Sequence, residues 1–200
     1  NTTGTENVAM GFEALKTHTT GHSNVAIGQE ALENNTTASN NTAVGTKSLR
    51  ANTTGTSNSA LGNASLYTNT TGVENTAIGR QALYSATTAS YNTALGYNSA
   101  FSNTTGANNT SVGRHSLFTN TTGSENTALG RNALTYNTTA SNNTAVGYYA
   151  LLQNTTGDEN VAVGASAMNN NTTGNAQVAV GKGALQNNTT GAENVALGRT

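Results

Sequence analysis

The sequence predicts an all-β parallel β-solenoid, a β-roll with seventeen residues per coil and about twelve coils, running as one continuous segment over residues 1–200 of a longer fibrous protein. Three observations predict it. The motif Asn-x-Ala-apolar-Gly begins at Asn7 and returns at Asn24, Asn41, Asn58, Asn75 and Asn92, always 17 residues on. It continues through Asn109, Asn126, Asn143, Asn160, Gln177 and Asn194 without an insertion. A fixed period of this length is the mark of a repeat architecture. Glycine closes every motif and recurs near the start of most copies (Gly4, Gly21, Gly55, Gly72), which would cut any helix twice per copy. Finally, the chain is 8% charged and 34% hydrophobic, against about 25% and 45–50% in ordinary globular domains. Core-filling residues are too scarce for a compact globule of 200 residues.

Numbered from Asn1, one copy reads Asn-Thr-Thr-Gly-x-x-Asn-(Val/Thr)-Ala-apolar-Gly-x-x-(Ala/Ser)-Leu-x-x, slots 1 to 17. Asn-Thr-Thr at slots 1–3 suits a turn followed by β-forming residues. It is also an N-glycosylation sequon, which makes Asn1, Asn35, Asn52, Asn69, Asn103, Asn120, Asn137, Asn154, Asn171 and Asn188 candidate acceptors. A stack of outward threonines also raises ice binding as a third reading, although adjacent residues on a strand face opposite sides and leave at most one outward rank. Asparagine at slot 7 predicts an amide ladder from coil to coil, as in cross-β structures. Slots 8–10, such as Val8-Ala9-Met10 and Val25-Ala26-Ile27, predict a short strand bounded by asparagine and glycine. Stacked at about 4.8 Å, twelve coils make a rod about 57 Å long.

Within the strand, alternation predicts that slots 8 and 10 share one side, and their apolar character assigns them to the core together with the leucine of slot 15. Slot 9 then points outward. Because it is small in every copy, it is expected to pack against another chain: Ala9, Ala26, Ala43, Ala60, Ala77, Ala94, Ser111 and Ala128 form the candidate interchain row. All charged side chains fall in slots 5, 6, 12, 13 or 16, which are expected to face water. At slot 16 of four successive coils stand Tyr67, Tyr84, Phe101 and Phe118. They are expected to form an aromatic row, either stacked on itself or serving as a stripe for sugar rings.

Asn24-Val25-Ala26-Ile27-Gly28 and Asn160-Val161-Ala162-Val163-Gly164 resemble the head repeats of trimeric autotransporter adhesins and related bacterial-surface and phage-fibre repeat proteins. The resemblance covers the whole chain and implies a left-handed β-roll, three chains side by side, and a role in display or adhesion. The expected function is therefore a stiff, non-enzymatic rod on a cell or virion surface, self-associating as a homotrimer or filament. A carbohydrate-binding adhesin acting through the aromatic row is the alternative, with a surface glycan or host receptor as partner. No catalytic set is expected, because His18, His22 and His115 fall in different slots and the single aspartate has no repeated partner. No metal or cofactor is expected: calcium-binding solenoids carry a carboxylate in every coil, whereas slots 5 and 6 here read Thr5-Glu6, His22-Ser23, Ser39-Asn40. A net charge of −1 argues against nucleic acid and anionic membrane as partners.

Overall fold

A computed structural model describes residues 2–199. It is a single twelve-stranded parallel sheet wound as a solenoid, with three-residue strands β1 (Val8–Met10), β2 (Val25–Ile27), β3 (Thr42–Val44), β4 (Ser59–Leu61), β5 (Thr76–Ile78), β6 (Thr93–Leu95), β7 (Thr110–Val112), β8 (Thr127–Leu129), β9 (Thr144–Val146), β10 (Val161–Val163), β11 (Val178–Val180) and β12 (Val195–Leu197). Each strand pairs with the next in sequence, and the register never slips: Ala77 lies on Ala94, Ile78 on Leu95. Coils are joined beyond the strands as well. Thr53 N donates to Thr70 O, Leu66 N to Ala82 O and Gln81 N to Asn63 O, so the ladder runs through the corners too.

Seventeen residues close a coil only by turning sharply, and slots 6, 13 and 15 take left-handed backbone, as at Glu74 (φ 54°), Gln81 (φ 57°) and Leu83 (φ 49°). Glycine is required at slot 11. Gly79 has φ +130°, and a Cβ there would meet the Gly96 carbonyl oxygen of the next coil at 2.5 Å.

The phase of the strand is opposite to the expectation from hydrophobicity. Ala26, Ala43, Ala77, Ala94, Ser111 and Ala128 are completely buried, and Ala60 nearly so, while Ile78 is 37% and Leu95 44% exposed. Slot 9 faces the inside of its own coil and slots 8 and 10 face out, so the alanine row is not an interchain surface. The cause is steric. Across the coil slot 9 meets the alanine or serine of slot 14, as the hydrogen bond between Ser111 Oγ and Ser116 Oγ shows (2.7 Å), and two small residues fill that gap. Slot 15 does fill the core: Leu32, Leu49, Leu66 and Leu83 are fully buried.

The rest of the interior is polar. Slot 7 forms the expected ladder, in which Asn58 N donates to Asn41 Oδ1 (3.0 Å) and Asn58 Nδ2 to the Gly72 carbonyl (2.9 Å). Slot 1 forms a second one: Asn52 Nδ2 donates to Asn35 Oδ1 and to Gly55 O, both at 2.9 Å. The two ladders converge, since Gly55 O also accepts Asn41 Nδ2 (2.9 Å). Three residues depart from the pattern. His18 replaces asparagine in slot 1, accepting Asn35 Nδ2 on Nδ1 (3.0 Å) while Nε2 donates to Gly21 O (2.9 Å). Gln177 replaces it in slot 7 and reaches across, donating to Asn171 Oδ1 (3.0 Å) and accepting Asn188 Nδ2. Ala86 leaves a gap.

Candidate functional site

The outward surface divides at the coil's corners. On the strand face, slots 8 and 10 make two parallel ranks along the rod, one of Val, Thr or Ser, the other wholly aliphatic or Met, from Met10 and Ile27 to Leu197. Leu61, Ile78, Leu95 and Val180 are exposed there. Neither rank carries a charge in any coil.

Past the slot 11 corner lies a face made of slots 12, 13 and 16. The aromatic row is present in slot 16. Tyr67 and Tyr84 stack with centroids 5.1 Å apart at 4°, Tyr84 and Phe101 at 5.0 Å and 7°, Phe101 and Phe118 at 5.4 Å and 21°. The outer flank of Tyr67 is covered by the Arg50 guanidinium (5.8 Å) and Phe118 meets the His115 ring (5.1 Å). The flat faces that would receive a sugar ring are thus turned on one another, which removes the geometric basis for a glycan-stacking stripe.

The same face divides by charge. Near its start Arg50 Nε pairs with Glu30 (2.8 Å) and Glu33 (2.6 Å), and Arg50 Nη1 donates to Tyr67 Oη (2.8 Å). The Glu33 carboxylate and the Tyr67 hydroxyl hold the Arg50 guanidinium protonated beyond its ordinary range. From Arg80 onward the face has cations but no carboxylate: Glu74, Glu125, Asp158, Glu159 and Glu193 all belong to slots 5 and 6. Arg80 and Arg114 lie on either side of Tyr97 (5.7 and 6.0 Å to the ring centroid), and Arg131 lies over Tyr148 (5.7 Å). Burial first, then Arg114 and Arg131, pull the His115 pKa down.

The sequons are spent inside the coil. Asn35, Asn52, Asn69, Asn103, Asn120, Asn137, Asn154 and Asn171 are fully buried, with each Nδ2 donating to a slot 4 carbonyl. A glycan needs that nitrogen free and outside, so these are ladder members and not acceptors in the folded rod. Asn188 is half-buried in the same role, and Asn1 lies outside the described residues. Of the threonine pair, slot 2 hydroxyls donate to the next coil's carbonyl, as Thr53 Oγ1 does to Thr70 O (3.0 Å), leaving slot 3 as the exposed rank.

Ser99, Ser111 and Ser116 form a buried hydroxyl cluster that sequence reasoning did not single out. Their hydrogen bonds run to one another and to the Ser111, Ser116 and Gly113 carbonyls, with no imidazole or carboxylate to activate them. Serine at both slot 14 and slot 9 of adjoining coils was the available signal. Among the described residues no group of three or more His, Asp or Glu side chains is placed to hold a metal ion, and no helix is long and apolar enough to cross a membrane. Comparison with protein-family models and with curated proteins finds no match to this chain.

Proposed function

We propose that the chain is a rod segment of an extracellular fibre or adhesin head, on a cell or virion surface, in which several parallel copies associate through the strand face. Display, spacing and adhesion ask for length and stiffness rather than catalysis, and its likeness to head repeats of surface adhesins supports that setting. The observation that carries the reading is the pair of uncharged ranks at slots 8 and 10. Slot 10 alone is aliphatic or Met in every coil, and an apolar strip about 57 Å long and about 5 Å wide is about 300 Å², within the range of exposed apolar patches that mark an interaction surface. A second copy is the occupant favoured by commensurability: only a partner with the same coil spacing stays in register with twelve successive rungs.

The test is the mass of an Ile78→Glu/Leu95→Glu variant by light scattering. Both positions are exposed, so the variant should remain folded by circular dichroism yet sediment as a monomer. An unchanged mass, or a monomeric parent protein at micromolar concentration, overturns the proposal. The regular slot 8 threonines from Thr76 to Thr144 also fit an ice-binding plane, and a monomeric parent showing thermal hysteresis would put that reading in its place.

A further inference from the structure

The slot 12 edge from Arg80 to Tyr148 is a run of cations and rings that the rod's own structure leaves unneutralised. In the first three coils the cations of this face stand beside carboxylates, Lys16 with Glu13, Lys47 with Glu30, and Arg50 with Glu30 and Glu33. Among the described residues Arg80, Arg114 and Arg131 make no ion pair, and each lies against a tyrosine ring. Arg114 and Arg131 leave adjacent rungs, about 5 Å apart along the axis, and lean apart, over Tyr97 and Tyr148 respectively, with both side chains exposed along this edge.

We infer that this edge binds an acidic polysaccharide laid along the rod, its carboxylate or sulfate groups taken by Arg80, Arg114 and Arg131. Guanidinium forks suit such oxygens, which they grip with two parallel N–H donors. Spacing argues against duplex nucleic acid. The three arginines span three coils, about 14 Å at about 4.8 Å each, whereas a duplex carries a charge every ~1.7 Å. A polymer with one charge per sugar or per disaccharide is the better match. Base stacking on Tyr97 is also unavailable, because it is flanked by Arg80 and Arg114. What remains outward are the guanidinium N–H groups and the exposed parts of Tyr97 (39%) and Tyr148 (45%), which suit a hydroxyl-rich chain. The His115 pKa is pulled below its ordinary value partly by Arg114 and Arg131, in keeping with uncompensated positive potential at this edge. The slot 11 corner separates it from the strand face, so the inference stands whether or not copies associate there.

The experiment measures binding of the whole chain to heparin, polygalacturonate, dextran and a DNA duplex at low and high salt. The expected result is salt-sensitive binding to heparin, to polygalacturonate or to both, and none to dextran; the preferred polymer identifies sulfate or carboxylate as the recognised group. Arg80→Gln/Arg114→Gln/Arg131→Gln, confined to exposed side chains, should keep the parent's circular dichroism and bind about tenfold or more weakly. Lys182→Gln, three coils beyond Arg131 on the same row, should bind as the parent does. Equal binding by the triple variant, failure of both acidic polysaccharides, or tighter binding of duplex DNA than of either would overturn the inference.

Discussion

Replacing Ala86 by asparagine should stabilise the rod, and the size of the gain follows from two stranded amides. In the slot 1 ladder each Nδ2 donates to the Oδ1 one coil back, so a missing member leaves an acceptor on one side and a donor on the other. Asn69 Oδ1 is buried without a partner, and Asn103 Nδ2 is left with Gly106 O alone (2.9 Å). An asparagine at 86 would donate to Asn69 Oδ1 and to Ala89 O and would accept Asn103 Nδ2. Each such bond is worth about 0.5–1.5 kcal/mol net, and an orphaned buried polar atom costs about 1–3 kcal/mol. Allowing for the entropy of fixing the new side chain, the gain is about 2–3 kcal/mol. The alanine at slot 4 of the same coil is no obstacle, since Asn35 with Ala38 and Asn137 with Ala140 hold both residues together. Urea denaturation and amide exchange around Leu83–Asn103 measure the effect, and Ala86→Leu is the control, adding similar bulk without polar atoms. An unchanged or lower midpoint, or an equal gain from leucine, would refute the hydrogen-bond reasoning.

Four further outcomes are expected. Ala100→Leu restores the leucine of slot 15 where the core breaks into one cluster ending at Ala100 and another beginning at Leu117; filled space of that kind is worth about 2–5 kcal/mol, and an unchanged denaturation midpoint would mean the neighbours have already closed in. Asn109→Leu removes bonds to Asn92 Oδ1, Gly123 O and Asn126 N and should cost about 3 kcal/mol or more, read as loss of the folded baseline on mild heating. His115 has a folded pKa below its ordinary value of about 6.5, so its contribution is present above that value and is lost as pH falls from about 6.5 toward the folded pKa. His115→Asn should flatten this acid-side slope in a pH series of melts, and an identical slope would exclude His115 as the cause. Finally, protein secreted from a glycosylating host should carry no glycan on Asn35 through Asn171 in its folded fraction, as peptide mass spectrometry would report; an occupied, folded chain would contradict the buried ladder.

The period, the parallel register, the slot 7 ladder and the leucine of slot 15 were all legible, because each is a property repeated at one position in every copy. The strand's phase was not, and particular residues show why. Hydrophobicity ranks Ile27 and Leu61 as core and Ala26 and Ala60 as bystanders, but that ranking presumes a core wide enough for branched side chains. The overlooked signal was tolerance. Slot 10 accepts Met10, Ile27, Val44 and Leu61, shapes no tight interior would exchange freely, whereas slot 9 admits only alanine and one serine. Ser111 makes the same point, standing where its hydroxyl meets Ser99 and Ser116. The slot 1 asparagines misled through a second meaning: Asn-Thr-Thr satisfies the glycosylation rule whichever way its amide points, and only the coil's closure turns it inward.

A core of alanine, glycine, leucine and two asparagine columns puts the stability of each coil largely in its neighbours' hands. Leu32, Leu49 and Leu83 sit at φ 49–51°, a backbone region that costs an L-residue roughly 1–2 kcal/mol, while each donates its own N–H to a carbonyl of the next coil. Bonds that cross between coils supply much of the offset, and they run both ways: Asn58 Nδ2 reaches Asn41 Oδ1 in the coil before and Gly72 O in the coil after, while Leu66 N donates forward to Ala82 O and Gln81 N back to Asn63 O. A defect is therefore felt by the coils on both sides of it. His18 and Gln177 show two ways of mending the column, an imidazole nitrogen in place of an amide oxygen and a longer amide that bridges both ladders. At coil six nothing mends it. Ala86 breaks the slot 1 ladder, Ala100 interrupts the leucine column, and Asn98 Oδ1 is buried without a partner in the same coil. In a rod whose coils contact only their nearest neighbours, opening starts where the interface energy is smallest. Away from the two end coils, which have one neighbour each, that places it at coil six.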